Sequence, residues 1–194
     1  MKRLFVIEGI DGCGKGLLIK NLKEIMGVDA VYLREPSDSV YGRKLIDSFS
    51  RGRLSREEEY SLFLKDRKVD VEENIIPSLE MGKIVILDRY YHSTIAYQGA
   101  LGMDIEKIVE DNRKIAPVPE ATFILDIPVE VSSKRIGYRR NSFENPEYLE
   151  EVRQIYLILP KLLDEKIYIL DGTKSPLEIR NQVSRFIQGR HNLQ

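Results

Sequence analysis

The sequence predicts an α/β protein in which a five-stranded parallel sheet is covered by helices on both faces. Three observations support this fold class. Short, continuous apolar runs alternate with longer stretches of helical periodicity, which is the pattern of strands buried on both sides. A glycine-rich loop separates the first apolar run from a helical stretch. The length of 194 residues, of which 42% are hydrophobic, suits a single domain over residues 1–194 that buries one sheet.

Five apolar runs have the length and the β-branched content expected of buried strands. Three of them end in an aspartate, namely Asp88, Asp126 and Asp171. Ligands bind at the carboxyl ends of the strands in open α/β sheets, so these residues are site candidates. For Asp126 we favour a structural role as the cap of the following turn. The predicted strands are residues 4–8, 30–34, 84–88, 122–127 and 167–171.

The longest predicted helix extends from Arg56 to Gly82, and Pro77 is expected to kink or end its last turn. Phe63 and Arg67 lie four residues apart on a face beside the core stripe. An aromatic ring and a guanidinium in this arrangement can stack on a base and hold its polar edge. A peripheral core residue and a solvated arginine fit the spacing equally well. The core stripe consists of Tyr60, Leu64, Val71, Ile75 and Leu79.

Composition and charge argue against several classes of protein. The formal net charge is −1 with 31% charged residues, and no long basic run indicates nucleic-acid binding. The single cysteine excludes an internal disulfide and suits a reducing compartment. The basic N-terminus is followed by a short apolar run that stops at Glu8, unlike a signal peptide, and no run is long enough to span a bilayer. We therefore expect a cytoplasmic protein with neither nucleic-acid nor membrane partners.

The glycine-rich loop, GIDGCGKG at residues 9–16, has the spacing of a phosphate-binding P-loop. Free backbone N–H groups and the positive end of the following helix dipole favour a phosphate, and Lys15 would reach the terminal phosphates of a nucleotide. A plain glycine turn is the alternative, but it does not explain a lysine in the first helical turn, where a cation opposes the dipole. One position departs from the pattern, because Gly16 replaces the Ser or Thr whose hydroxyl binds magnesium.

The segment DRYYHSTIAYQG, residues 88–99, directly follows the third predicted strand. Asp88 and Arg89 are therefore expected at the carboxyl edge of the sheet, close to the P-loop. A guanidinium there suits phosphate, and a carboxylate can hold magnesium through water. A purely structural account makes the two residues a salt bridge.

A basic segment, KRIGYRR at residues 134–140, follows the fourth predicted strand and a short helix. Such a run is usually a solvated face. Beside a P-loop it can instead belong to a mobile lid, here about residues 134–146, whose arginines close over a triphosphate. Closure of this kind excludes water and stabilises the charge on a transferring phosphoryl group.

Taken together, these segments resemble thymidylate kinase, a family in the nucleoside monophosphate kinase group of P-loop proteins. The similarity runs from the first predicted strand to the last. It implies an enzyme that transfers the γ-phosphoryl group of ATP to thymidine 5′-monophosphate (dTMP), giving dTDP and ADP, with Mg²⁺ as cofactor and a homodimer as the assembled form. The resemblance rests on IEGIDGCGK, LREP, LFLKDR with its Phe-x-x-x-Arg spacing, PSLEMGKIVILDRY, STIAYQG, PEATFILDIP and the closing LDGT.

The resemblance also implies roles for matching positions. The catalytic positions are Lys15, Arg89 and the lid residues Arg139 and Arg140, and Asp88 would hold magnesium through water. The positions implied to bind ATP are Gly9, Ile10, Asp11, Gly12, Cys13, Gly14, Lys15, Gly16, Leu17, Arg135 and, bordering adenine, Asp171, Gly172 and Thr173. The positions implied to bind dTMP are Asp11 (sugar 3′-hydroxyl), Arg34 (phosphate), Phe63 (stacking on thymine), Arg67 (thymine edge), Arg89 (bridging the phosphates), Ser93 and Gln98 (thymine site) and Tyr97 (position 2′).

Two departures from the family pattern leave alternatives open. Gly16 and Leu17 stand where the family has two hydroxyl-bearing residues, which affects the expected rate more than nucleotide binding. Ser37 and Asp38 replace the glycines after the REP motif, and a carboxylate near a phosphate weakens monophosphate binding unless Asp38 points away. The alternatives are a non-catalytic or weakly active nucleotide-binding protein with a degraded P-loop, and a kinase for another monophosphate such as dUMP.

Overall fold

The computed structural model describes residues 3–136 and 145–189. Its five strands form one sheet in the order β2-β3-β1-β4-β5, and every neighbouring pair is parallel. The predicted parallel sheet is thereby confirmed, and only β4 departs from its predicted bounds, by one residue. The strands are β1 (Leu4–Glu8), β2 (Ala30–Arg34), β3 (Ile84–Asp88), β4 (Ala121–Asp126) and β5 (Ile167–Asp171).

Helices are packed around the sheet: α1 contacts α9, and α5 contacts both α6 and α8. None of the helices in the described residues is both long and apolar enough to cross a membrane. The helices are α1 (Lys15–Met26), α2 (Val40–Arg51), α3 (Arg56–Asp70), α4 (Ile76–Glu80), α5 (Tyr91–Ala100), α6 (Ile105–Arg113), α7 (Val129–Ile136), α8 (Pro146–Leu162) and α9 (Pro176–Ile187).

The hydrophobic core is centred on the inner strands. All of β1 is buried, and Leu87 on β3 and Phe123 on β4 are fully buried beside it. Burying one such side chain contributes about 1.5–3 kcal/mol relative to leaving it exposed. Because β3 and β4 pair with β1 in parallel, the carboxyl ends of the three strands lie together at one edge of the sheet.

The long helix predicted from Arg56 is interrupted. A π-helical turn, Val71–Ile75, separates α3 from α4, and the N–H of Ile76 donates to the carbonyl of Val71, five residues earlier. Pro77 has no N–H group, and its ring excludes the carbonyl four residues before it, so a wider turn relieves the clash. The interruption therefore lies just before the proline rather than in the last turn.

Asp126 does not cap the turn that follows β4, contrary to our prediction. Its Oδ1 accepts a hydrogen bond from Nε of Arg153 at 2.6 Å, and its Oδ2 accepts one from Nη2 at 3.0 Å. A bidentate arginine from α8 satisfies both oxygens better than a turn amide would. Asp171, by contrast, does cap its turn, accepting from the backbone N–H of Thr173 at 2.9 Å and from its hydroxyl at 2.6 Å.

Candidate active site

The loop between β1 and α1 is shaped to expose backbone N–H groups. Gly9 has φ 134°, and a Cβ there would lie 2.6 Å from the carbonyl oxygen of Leu125, so a side chain does not fit. The N–H groups of Lys15, Gly16 and Leu17, which open α1, have no acceptor in the described part of the chain. These amides and the helix dipole form a cradle for an anion.

Lys15 lies folded into this loop. Its Nζ donates to the carbonyls of Gly9 at 2.7 Å and Ile10 at 3.1 Å, and it lies 3.9 Å from Oδ1 of Asp11. The side chain is buried, so water screens its charge weakly. A cation thus lies beside the free amides, as phosphate binding requires.

Arg89 bridges the end of β3 and the loop after β1. Its Nη2 donates to Oδ1 of Asp11, its Nη1 donates to the hydroxyl of Ser93 at 3.2 Å, and its guanidinium lies 5.2 Å from the ring centre of Tyr97. Burial raises the pKa of Asp11, but the charges of Arg89 and Lys15 outweigh it and hold that pKa below its usual value. Arg89 thus pairs with Asp11 and not with Asp88, which excludes the structural salt bridge considered above.

Glu8, the last residue of β1, supports this arrangement and was missed at the level of sequence. Its Oε1 accepts from the backbone N–H groups of Tyr90 at 2.8 Å and Ser93 at 3.1 Å. Its Oε2 accepts from the hydroxyls of Ser93 at 2.6 Å and Tyr156 at 2.9 Å. The carboxylate is fully buried and fixes both ends of the turn that carries Arg89. A glutamate at the end of a buried strand is the signal that could have revealed it, because a buried carboxylate needs partners.

A pocket of about 420 Å³, called pocket A, opens at the carboxyl ends of β1, β2 and β3. It brings together every residue that the resemblance assigns to dTMP: Asp11, Arg34, Phe63, Arg67, Arg89, Ser93, Tyr97 and Gln98. Sequence reasoning did not assign the other lining residues: Glu35, Pro36, Ile46, Phe49, Arg53, Tyr90 and Thr94. The helical spacing of Ile46 and Phe49, which lie on one face of α2, was an available signal for two of them.

Polar atoms in and beside pocket A remain available to a ligand. Both side-chain polar atoms of Gln98 are buried and have no partner within residues 3–136 and 145–189. Arg34 is largely exposed, with its Nε 4.0 Å from Oδ2 of Asp88. Oδ1 of Asp88 is buried and likewise unpartnered in that part of the chain. Buried polar groups are normally hydrogen-bonded, so Gln98 and Asp88 are poised for contacts that a ligand, ion or water would supply.

A second pocket of about 420 Å³, pocket B, lies between the glycines of the phosphate loop and the turn that follows β5. Its lining includes Gly12, Cys13, Gly14, Leu17, Arg135, Gly172 and Thr173 from the implied ATP set, but not Gly9, Ile10, Asp11, Lys15, Gly16 or Asp171. Arg135 donates to the carbonyl of Gly172 at 3.3 Å, closing one side. The predicted lid arginines, Arg139 and Arg140, lie outside the described residues.

The two departures from the family pattern have clear structural settings. Gly16 is exposed, and a Cβ built on it meets no atom within 4 Å, so a serine would fit there.

The side chain of Asp38 is 95% exposed and pairs with Nη1 of Arg43 at 3.0 Å. Asp38 does not line pocket A. We therefore do not expect its carboxylate to weaken the binding of a monophosphate there. Neighbouring Ser37 is turned inward, and its hydroxyl donates to Asp66 at 2.5 Å.

Comparison with known proteins assigns the chain to a family. The family model described as thymidylate kinase matches residues 7–183. The chain belongs to the thymidylate kinase family. It is 41% identical over 195 residues to the probable thymidylate kinase of Archaeoglobus fulgidus, covering 98% of this chain and 97% of that protein. It is 47% identical over 159 residues to the thymidylate kinase of Akkermansia muciniphila, covering 79% of this chain and 77% of that protein.

A third relative extends the match over most of the chain. The thymidylate kinase of Brachyspira hyodysenteriae is 41% identical over 192 residues, covering 96% of this chain and 93% of that protein. Membership in the thymidylate kinase family thus agrees with the resemblance stated from the motifs, and the parallel sheet and P-loop are the corresponding structural features.

Proposed function

We propose that this chain is a thymidylate kinase, which transfers the γ-phosphoryl group of ATP to dTMP and releases dTDP and ADP. The observation that carries the proposal is the position of the two pockets on one phosphate loop. Asp11 lines pocket A and the next residue, Gly12, lines pocket B. Two bound nucleotides could therefore bring their phosphates together at this loop, which is what phosphoryl transfer demands.

Pocket B and the loop suit ATP. The free amides of Lys15, Gly16 and Leu17 would cradle its phosphates, and Lys15 would exchange its carbonyl partners for phosphate oxygens. Gly172 and Thr173 would border the adenine. The catalytic role of Arg139 and Arg140 rests on the resemblance alone.

Pocket A suits dTMP. The ring of Phe63 and the unpartnered amide of Gln98 offer a stacking surface and hydrogen bonds for a base. Arg34, which is open to solvent, and Arg89 supply positive charge for the phosphate. Tyr97 would crowd position 2′ of the sugar. In this arrangement the protein positions the reactants and neutralises charge, and it forms no covalent bond itself.

The protein itself offers few oxygen ligands for a magnesium ion. None of the described residues form a cluster of three or more metal-ligating side chains, and Gly16 offers no hydroxyl. The unpartnered Oδ1 of Asp88 is the available carboxylate oxygen. We therefore assign Asp88 to an ion held mainly by phosphate oxygens and water, and such an ion would neutralise charge on the triphosphate.

Assembly and location complete the proposal. We take the enzyme to act as a homodimer, for which light scattering would give twice the chain mass of 22.5 kDa. The single cysteine supports a cytoplasmic site of action. The names of the relatives give no support to the non-catalytic alternative or to another acceptor nucleotide.

Substitution of the two central cations tests the proposal. Lys15→Ala and Arg89→Ala should each lower kcat at least about a hundredfold, because each removes positive charge from the transferring group. Lys20→Ala, an exposed lysine on the same helix as Lys15, is the matched control and should keep full activity. Near-normal turnover in either test variant, with thermal unfolding unchanged, would contradict the assignment.

A further inference from the structure

Leu17 is a large apolar residue that the hydrophobic core does not use. It is the third residue of α1 and is 48% exposed, whereas Leu18, Ile19 and Leu22 of the same helix are buried in the core. A single exposed leucine is common on protein surfaces and needs no explanation. Leu17 differs from such a residue in its surroundings, because its side chain lines pocket B.

The place of Leu17 in α1 directs its side chain toward the phosphate loop. In an α-helix each Cα–Cβ bond tilts toward the N-terminus, and α1 begins directly after the loop glycine Gly14. The backbone N–H of Leu17 belongs to the amide cradle of the same loop. A triphosphate held by the cradle therefore continues into the pocket that the Leu17 side chain lines, so that its nucleoside part lies within reach of that side chain.

The lining of pocket B favours contact with a nucleoside through apolar surface. The hydroxyl of Thr173 donates to Oδ1 of Asp171 at 2.6 Å, and the hydroxyl of Ser175 donates to Oε2 of Glu178 at 2.5 Å. Both hydroxyl hydrogens are thus used close to their own positions in the chain. Ligand pockets of this kind bind largely through apolar contact area. The leucine, isoleucine and proline side chains that line pocket B are those of Leu17, Leu18, Leu125, Pro176 and Ile179.

We propose that the side chain of Leu17 is a specificity-determining contact for the phosphoryl donor, which packs against the nucleoside part of ATP and so distinguishes ATP from a bare triphosphate. The inference rests on the proposed function in that pocket B is taken to hold that nucleoside. The family pattern has a hydroxyl at this position, which suits a phosphate oxygen. An isobutyl group in its place moves the contact from the phosphates to the nucleoside.

Calorimetric titration with ATP and with inorganic tripolyphosphate tests the inference, because the two ligands share the phosphates and differ in the nucleoside. Leu17→Ala should weaken ATP binding about 3- to 10-fold and leave tripolyphosphate binding within about twofold of wild type. The heat-capacity change of ATP binding should become less negative, since less apolar surface is buried. With saturating ATP, kcat should stay within about threefold, because the lost contact is present before and during transfer.

Three further variants make the test specific to the apolar contact. Leu17→Met keeps an apolar body of similar volume and should keep the wild-type ratio of ATP to tripolyphosphate affinity. Leu17→Thr restores the hydroxyl of the family pattern and should lower that ratio, as Leu17→Ala does. Leu177→Ala is the matched control, because Leu177 on α9 is 55% exposed and lines neither pocket. It should leave both affinities unchanged.

Two results would overturn the inference and leave the proposed function intact. One is an unchanged ratio of the two affinities in Leu17→Ala. The other is an equal loss of affinity for ATP and tripolyphosphate, which would mean that the side chain acts on the loop amides. A wild-type chain that binds neither ligand would overturn the proposed function as well. Because Leu17 lies outside the core, we expect the melting temperature of each variant to stay close to that of wild type.

Discussion

Arg89, at the end of β3, donates from Nη2 to Oδ1 of Asp11, in the loop after β1, and so joins pocket A to the phosphate loop. Arg89 has φ 71°, a positive value that no other non-glycine residue shows within residues 3–136 and 145–189. Such a backbone costs about 1–3 kcal/mol and persists where surrounding contacts enforce it. Here the contacts come from Glu8, which binds the N–H groups of Tyr90 and Ser93.

Glu8→Gln should impair catalysis through Arg89. The amide NH2 would face the hydroxyls of Ser93 and Tyr156, which donate to the carboxylate in the wild type and would have to turn to accept, so we expect a loss of about 1–3 kcal/mol of unfolding free energy. We also expect at least about a tenfold fall in kcat, with the KM for ATP little changed, because Arg89 loses its fixed orientation. Chemical denaturation and steady-state kinetics measure the two effects. Glu57→Gln, on the exposed surface of α3, is the control, and wild-type kcat in Glu8→Gln would refute the positioning role.

Gly16→Ser should raise the rate. A serine fits without a clash and restores the hydroxyl that P-loops use for magnesium, so we expect roughly a ten- to a hundredfold gain in kcat. Gly16→Ala adds the same Cβ without the hydroxyl and should show no such gain. Magnesium titrations of ADP formation in the three proteins provide the measurement. Equal rates for the serine and alanine variants would show that the site works by another route.

Asp38→Gly should leave dTMP binding within about twofold of wild type, because the exposed carboxylate faces Arg43 and not pocket A. Asp11→Asn changes a carboxylate that lines pocket A and should weaken binding or turnover clearly more. The KM for dTMP in the two variants distinguishes the positions. A marked fall in this KM on Asp38→Gly would mean that the carboxylate repels the phosphate after all.

The contribution of Asp70 to the stability of the protein should fall as the pH rises through the raised pKa of its carboxyl group. Burial raises the pKa of Asp70 to about 6, and its Oδ2 lacks a partner in the described part of the chain. Between the ordinary value of 3.8 and about 6, the folded state binds more protons than the unfolded state, so unfolding free energy decreases with rising pH.

Asp70→Asn removes this titration and keeps an oxygen for the bond from Asn74. It should be more stable than wild type by about 1–3 kcal/mol at pH 8 and close to wild type at pH 4. Urea denaturation across that range measures the difference. A constant difference between the two proteins would count against the raised pKa.

Local patterns in the sequence account for much of this structure. Continuous buried runs predict the strands because each strand is covered on both faces, and helical spacing predicts that Phe63 and Arg67 share a face, which lines pocket A. Contacts between distant positions leave no such pattern. Arg153 pairs with Asp126, which lies 27 residues away in the sequence, and Asn112 accepts a hydrogen bond from Arg67, which lies 45 residues away. Those partners are chosen by how the elements pack, and a single sequence does not encode that packing locally.

The most direct test of the central claim is ADP formation from ATP and Mg²⁺ with dTMP, measured against dUMP, ribothymidine 5′-monophosphate and AMP as acceptors. A thymidylate kinase should turn over dTMP with the highest kcat/KM, dUMP about 10- to 200-fold less well for want of the methyl group, and AMP negligibly. Tight binding of nucleotides without turnover of any acceptor, or equal use of AMP, would contradict the account.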